Sequence, residues 1–310
     1  MISKKFFLII FVPCFLLLFI LSSISHSATT PHTKTRIVLL GTGTPVADPE
    51  RSGPAVAIVV NNIPYLIDCG PGIVRQAAAA YKRGITGLRA DRLKRLFVTH
   101  LHSDHTAGLP DIILTPWVAG RDEPLEVYGP EGISSMTEHI LSAYEQDIQI
   151  RLNGLEHAGK HGYKVSAHEI TPGIVYKDSL VQVEALPVPH GAWPQAYAYK
   201  FYTPDRTIVI SGDTVYSEQM IEFSRGVDVL IHEVYSAKGF KEVNNPGFQA
   251  YHSSYHTSSQ ELAKIASEAK PRLLILYHQL WMSRSEDDLL KEIRDVYSGK
   301  VFSGKDLEIY

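Results

Sequence analysis

The sequence predicts an α/β domain in which sheets are flanked by helices, and three observations carry that expectation. Short apolar runs alternate with helical stretches along most of the chain. No long-period repeat, low-complexity tract or convincing linker divides it. Its 310 residues, 45% hydrophobic and 20% charged, are enough to bury a sizeable core and exclude wholesale disorder.

Taken in order, residues 36–40, 55–60 and 64–67 read as strands, with Gly41-Thr42-Gly43-Thr44-Pro45 turning after the first. The Ala-rich stretch 72–82 reads as a helix, and 95–99 as a buried strand. Residues 132–144 carry a helical pattern, and β character resumes at 165–170, 174–176 and 180–186. Residues 196–202 and 207–211 form a hairpin pattern across Thr203-Pro204-Asp205-Arg206. Strand 227–231, helix 258–269, strand 272–276 and helix 286–297 complete the series.

The N-terminus reads differently. Lys4-Lys5 precedes an apolar run over 6–21 and a small-residue exit, Ser22-Ser23-Ile24-Ser25-His26-Ser27-Ala28. That order is expected of a secretory signal peptide at 1–28, followed by one domain over 29–310. The protein is therefore expected to be exported, periplasmic or secreted, and to meet a membrane only through this segment if it stays uncleaved as an anchor. Removing Lys4 and Lys5 takes the formal charge from −3 to −5, which makes nucleic acid an unfavoured partner. Cys69 is then the one cysteine left, which excludes an intramolecular disulfide; it is expected to be a small buried hydrophobe.

The chemistry is concentrated after strand 95–99. His100, His102, Asp104 and His105 fall within six residues, in His100-Leu101-His102-Ser103-Asp104-His105. Alternate residues of an extended segment point the same way, and His105 can turn toward a second ion as a helix begins. Imidazole with carboxylate is a ligand set for zinc, iron or manganese, and imidazole binds without a large deprotonation cost near neutral pH.

This segment resembles the His-x-His-x-Asp-His motif of the metallo-β-lactamase superfamily. The other landmarks follow in that family's order: Ile67-Asp68-Cys69-Gly70, His190 after Leu186-Pro187-Val188-Pro189, Ser211-Gly212-Asp213-Thr214, and His278. The resemblance implies an αββα sandwich, two mixed β-sheets flanked by helices. Leu39-Leu40-Gly41-Thr42-Gly43-Thr44-Pro45, Ile231-His232-Glu233-Val234 and His256-Thr257-Ser258 are similar to segments of the ribonuclease Z and arylsulfatase branch. Gly41–Thr44 lacks the Lys and helix start of a phosphate-binding P-loop.

The resemblance implies two Zn²⁺, with Mn²⁺ or Fe²⁺ as alternatives. His100, His102 and His190 would hold one ion, Asp104, His105 and His278 the other, and Asp213 both. It implies attack by a metal-bridging hydroxide on a phosphodiester or aryl sulfate ester. His256 would protonate the leaving group, kept cationic by Glu233, and His232 would support a ligand from behind. Asp104 is counted with the catalytic groups as well as the ligands.

The expected partner is a small-molecule ester, with the protein alone or as a homodimer. Ribonuclease Z-type processing of tRNA 3′ ends and lactone hydrolysis are the enzymatic alternatives. Bacterial long-type relatives carry a tRNA-binding arm between the landmarks at His190 and Asp213, where this chain has only the hairpin. An oxygen-reducing di-iron protein would bring a flavin domain for which no room remains, and a metal-binding module without catalysis would be expected to have lost ligands. His139, His157, His161 and His168 are expected at the surface, with His252, four residues before His256, harder to set aside. Trp117, Trp193, Tyr251 and Trp281 are read chiefly as packing residues, with framing of an apolar leaving group as the alternative.

Overall fold

Period-two alternation along the strands sets up the layers of this fold. The computed structural model describes residues 35–310. The expected signal peptide lies outside the described residues, among which no helix is long and apolar enough to cross a membrane. Strands β1 (Thr35–Gly41), β2 (Ala55–Val60), β3 (Ile63–Ile67), β4 (Arg95–Phe97), β5 (Leu125–Gly129) and β6 (Val165–Glu169) form one sheet in that order. The second sheet contains β7 (Gly173–Lys177), β8 (Gln182–Pro187), β9 (Tyr197–Tyr202), β10 (Thr207–Ile210), β11 (Val229–Tyr235), β12 (Leu274–Leu280) and β13 (Val301–Ser303), also in sequence order.

Strand β2 shows why the sheets stack. All of it is buried: Ala55, Ala57 and Val59 face the helical layer outside the first sheet, while Val56, Ile58 and Val60 face the second sheet. A strand covered on both faces needs an unbroken apolar run, and Ala-Val-Ala-Ile-Val-Val supplies one. In the second sheet Val229 and Ile231 face inward, and Leu230 and Val234 face outward.

The outer layer of the first sheet is built from α1 (Ile73–Lys82), α3 (Leu109–Val118) and α4 (Ile133–Ala143), following the one-turn α2 (Ser103–Thr106). The second sheet is covered by α6 (Glu218–Phe223), α9 (Ser259–Ala269) and α10 (Glu286–Arg294). Helices α5 (Glu145–Asn153), α7 (Ala237–Glu242) and α8 (Pro246–Tyr255) complete the α-helices of the described residues, beside short 3₁₀ turns at Thr86–Leu88 and Ala90–Arg92. Two mixed sheets between two helical layers make the αββα sandwich.

The topology puts the chemistry at one rim. Strands β3 to β6 are mutually parallel, as are β10 to β13; β8 and β10 both run antiparallel to β9 and so share a direction. The loops after β4, β8 and β10 carry His100, His190 and Asp213. This is the crevice beyond strand C-termini where α/β sheets commonly place ligands.

The expected strand 272–276 is longer than its apolar run. His232 pairs with Leu276 but Val234 with Gln279, so β12 holds one extra residue opposite β11. Tyr277 and His278 occupy that bulge, with His278 in the left-handed region at φ 46°. A non-glycine residue held there costs on the order of 1–3 kcal/mol, and bulges near active sites re-aim side chains.

Candidate metal centre

One group of donors draws on both sheets. Beyond β4 the extended segment places His100 Nε2 3.0 Å from His102 Nδ1, and His190, arriving after β8, puts its Nε2 3.1 Å from the same His102 atom. Asp213 Oδ2 lies 3.9 Å from His100 Nε2. Tetrahedral zinc with bonds of about 2.0–2.1 Å to nitrogen has neighbouring donors about 3.3 Å apart, so these ring nitrogens converge as they would around one ion.

The second group centres on α2 and the β12 bulge. His278 Nε2 is 3.1 Å from Asp104 Oδ2, and His105 Nε2 is 3.6 Å from that oxygen. Asp213 reaches this group too, with Oδ1 3.4 Å from His105 Nε2 and Oδ2 3.6 Å from His278 Nε2. Within each group the donor atoms lie within 4.8 Å of one another. His105 Nε2 and Asp213 Oδ1 are buried without a hydrogen-bond partner, which isolated polar atoms rarely tolerate but cation ligands require.

A second ring of contacts aims these ligands. Asp68, at φ 58° just after β3, accepts from the Thr99 amide at 2.8 Å and contacts His105 Nδ1 at 2.9 Å. The Thr99 hydroxyl lies 3.0 Å from His100 Nδ1, and His190 Nδ1 donates to the Tyr255 carbonyl at 2.7 Å. Each of these leaves Nε2 turned inward. Gly70 lets the turn after Asp68 pack against Asp104, because a Cβ would collide with Gly53 and the Asp104 carbonyl. Gly191, at φ 54°, is required beneath the Tyr255 ring for the same reason.

Burial readies the imidazoles. It pushes His190 down to about 4, holds His100 well below its ordinary value and lowers His102, so all three stay neutral and able to ligate near pH 7. Asp213 behaves oppositely: burial would raise it, but the neighbouring His278 and His105 rings hold it well below the carboxylate range.

His256 stands beside this centre with a different partner. Its Nδ1 lies 3.4 Å from Glu233 Oε2 and 3.8 Å from Asp213 Oδ2. His256 also converges with Asp213 and His278, and of the two carboxylates near its Nδ1 that of Glu233 is the nearer. The Thr257 and Thr214 amides donate to the other Glu233 oxygen at 2.8 and 3.3 Å, fixing the carboxylate. Burial opposes charge on His256, and Glu233 more than offsets it, so the imidazole pKa is raised. Burial raises Glu233 as well, so the pair holds a proton more tightly than either group alone. Ser258, N-cap of α9 in a capping box with Glu261, anchors the segment just after His256.

The His232 ring is fully buried: its Nδ1 donates to the Glu233 carbonyl at 2.7 Å, its Nε2 has no hydrogen-bond partner, and burial pushes its pKa down to about 4. Its side chain lies on the outer face of β11, whereas the ligands gather at the rim. Asp68, Thr99 and Tyr255, to which no role was assigned from sequence, are the residues that aim the ligands. Trp117 is core, donating to the Gly159 carbonyl at 2.7 Å, whereas Trp193 stands at the site, its indole nitrogen 2.7 Å from His102 Nε2. Cys69 is buried, and His139, His157 and His161 are exposed.

Fold and site together define a metal-dependent hydrolase of the metallo-β-lactamase class. Residues 64–279 match the family model for the beta-lactamase superfamily domain, and the chain belongs to that superfamily. It is 31% identical over 285 residues to ribonuclease Z of Mycobacterium marinum, covering 87% of this chain and 96% of the relative. Among solved structures it resembles the metallo-beta-lactamase fold protein YhfI from Bacillus subtilis at 20% identity and a TM-score of 0.67, covering 89% and 98% of the two chains. The short form of human tRNase Z superposes with a TM-score of 0.66 at 21% identity, over 89% and 98%. At these identities the two structures speak for the fold.

Proposed function

We propose that the chain is a phosphodiesterase that holds two zinc ions, one among His100, His102 and His190, the other among Asp104, His105 and His278, with Asp213 shared. The convergence of both groups on Asp213, with a proton-holding His256–Glu233 pair alongside, carries the reading. A pair of divalent ions supplies Lewis acidity toward phosphoryl oxygens and lowers the pKa of a bound water. The protein's own part is positional and protonic. Asp213, Asp104 and the five ligand histidines fix the reacting group, and His256 delivers a proton to the departing oxygen. Thr257 and Thr214 hold Glu233 so that it keeps that proton in place.

The preferred substrate in this reading is a small phosphodiester, with aryl sulfate the less favoured ester. Similarity to ribonuclease Z along nearly the whole relative supports a second reading, tRNA 3′-end cleavage. Because this chain covers 96% of that relative, the short β9–β10 hairpin between His190 and Asp213 does not set the two apart. Export after loss of the first 28 residues belongs to the same proposal and rests on Lys4-Lys5, the apolar run and the small-residue exit.

The test is a panel of bis(p-nitrophenyl) phosphate, p-nitrophenyl sulfate, a lactone and precursor tRNA, with metal content measured on the same preparation. The expected result is zinc-dependent cleavage of the phosphodiester, abolished by a strong chelator. Preferred turnover of precursor tRNA would establish the second reading, and activity of metal-free protein would overturn both. Cell fractionation tests export: full-length protein in the soluble cytoplasm would refute it.

A further inference from the structure

The loop between β1 and β2 divides the rim into two unlike cavities. On one side, a cavity of about 690 Å³ borders Asp104 and is lined by Ser52, Ser103, Pro49 and Pro71, with Val46, Asp48 and Arg51 shared between the two cavities. On the other, a cavity of about 370 Å³ is walled by Val46, Phe248, His252, Trp281 and Met282, with Arg51 at its edge. The second lies within the size range of small-molecule sites.

Its aromatic walls are held rigidly. Arg51 donates to the Thr42 hydroxyl at 3.0 Å and the Gly304 carbonyl at 3.2 Å, and its guanidinium carbon sits 4.6 Å from the Trp281 ring centre. The cation therefore backs the indole and fixes its plane. Opposite, Asn245 caps α8 and Pro246 opens it, and Phe248 packs on His252 with ring centres 3.8 Å apart. His252 Nδ1 bonds the Phe248 carbonyl at 2.9 Å, which locks its ring against the cavity.

This cavity also has a direction. His252 and His256 ring centres are 5.7 Å apart, so it opens beside the residue that protonates the departing oxygen, whereas the larger cavity opens beside a metal-side carboxylate, Asp104. We infer that the Phe248–Trp281 cavity is the leaving-group subsite and that it selects a planar aromatic ring. The retained half of the diester then lies toward the larger cavity. Offset or edge contact with two aromatic walls is favourable for a flat π-system beyond its area alone.

The inference takes the term leaving group from the phosphodiesterase reading, but its binding preference does not depend on turnover. Calorimetric titration of zinc-loaded protein with phenylphosphonate and methylphosphonate tests it directly. The aryl probe should bind about tenfold more tightly, the scale of one well-packed aromatic contact. Phe248→Leu and Trp281→Leu should bring that ratio toward one. Two methyl phosphodiesters of matched leaving-group acidity, one phenolic and one a fluorinated alcohol, extend the test to turnover. Their ratio of kcat/KM should fall by a similar factor in both variants. Equal binding of the two phosphonates by the unmodified protein overturns the subsite, whatever the variants do. A retained aryl preference with no diester hydrolysis would instead sink the phosphodiesterase reading and leave the subsite standing.

Discussion

The two sheets contribute to the metal centre in opposite ways. The first delivers His100, His102, Asp104 and His105 from a single loop after β4, so their spacing is set by local backbone geometry. The second delivers His190, Asp213 and His278 one at a time, from β8, β10 and the bulge in β12, so their spacing is set by how strands pack. Local geometry survives small changes elsewhere in the fold; a site assembled across strands inherits every shift in their packing.

Asp213→Ala should show the largest effect, because Asp213 is the second-sheet residue that faces both groups. Metal content should fall below one ion per chain, with turnover down by more than about 10³-fold, the scale at which charge-stabilising contacts matter. Retention of two ions by elemental analysis would break the shared-ligand assignment. His256→Ala should keep its metal and lose roughly 10²–10⁴-fold in turnover, less for acidic leaving groups such as nitrophenol. His190→Ala should instead lose metal without that dependence on leaving group.

Glu233→Gln is expected to act through pH. The carboxylate raises the His256 pKa, so the proton is held as pH rises and is lost at the alkaline limb. Removing the negative charge should move that limb of kcat/KM to lower pH, with the activity loss growing as pH increases. An unmoved limb would separate Glu233 from the proton.

The smallest effect is the most direct test of the comparison. Ile275→Val removes one methyl from the core between the sheets and should cost about 1 kcal/mol; Val74→Ala, in the helical layer over the first sheet, removes two carbon atoms and should cost about 2 kcal/mol. Ile275→Val should speed metal loss to a chelator, and Val74→Ala should not. Equal rates would show that both halves of the site are equally local.

Sequence reading succeeded where the signal is local. The run at 55–60 matches β2 to the residue, and helix 72–82 differs from α1 only in that Gly72 is its N-cap. The seven ligand positions and the His256–Glu233 pair were nameable from motifs, and the fold brings them together. Strand 272–276 stopped short because Tyr277 and His278 end the apolar pattern in a bulge that only pairing with β11 reveals. Helix α8 was overlooked although Asn245-Pro246 is an N-cap followed by proline at the first turn. Its low apolar periodicity follows from facing the rim rather than the core. Adjacent residues of a strand face opposite ways, so proximity in sequence to Glu233 says nothing about whether His232 faces the site.

The open edge of β1 is closed by a segment distant from it in sequence. Residues 307–310 run along β1, with Leu39 and Ile37 bonded to Glu308 and Tyr310 and an antiparallel bridge between Val38 and Ile309. Asp306, just before them, accepts from the Thr42 and Ser52 amides at 2.9 and 2.7 Å and so ties down both ends of the β1–β2 loop. Strand β1 leaves the ribosome well before residues 306–310, which cover its open side. Until they follow, Ile37-Val38-Leu39-Leu40 is an unprotected edge able to pair with another nascent chain. Chaperone dependence and inclusion-body formation are therefore expected to respond most strongly to changes at residues 306–310.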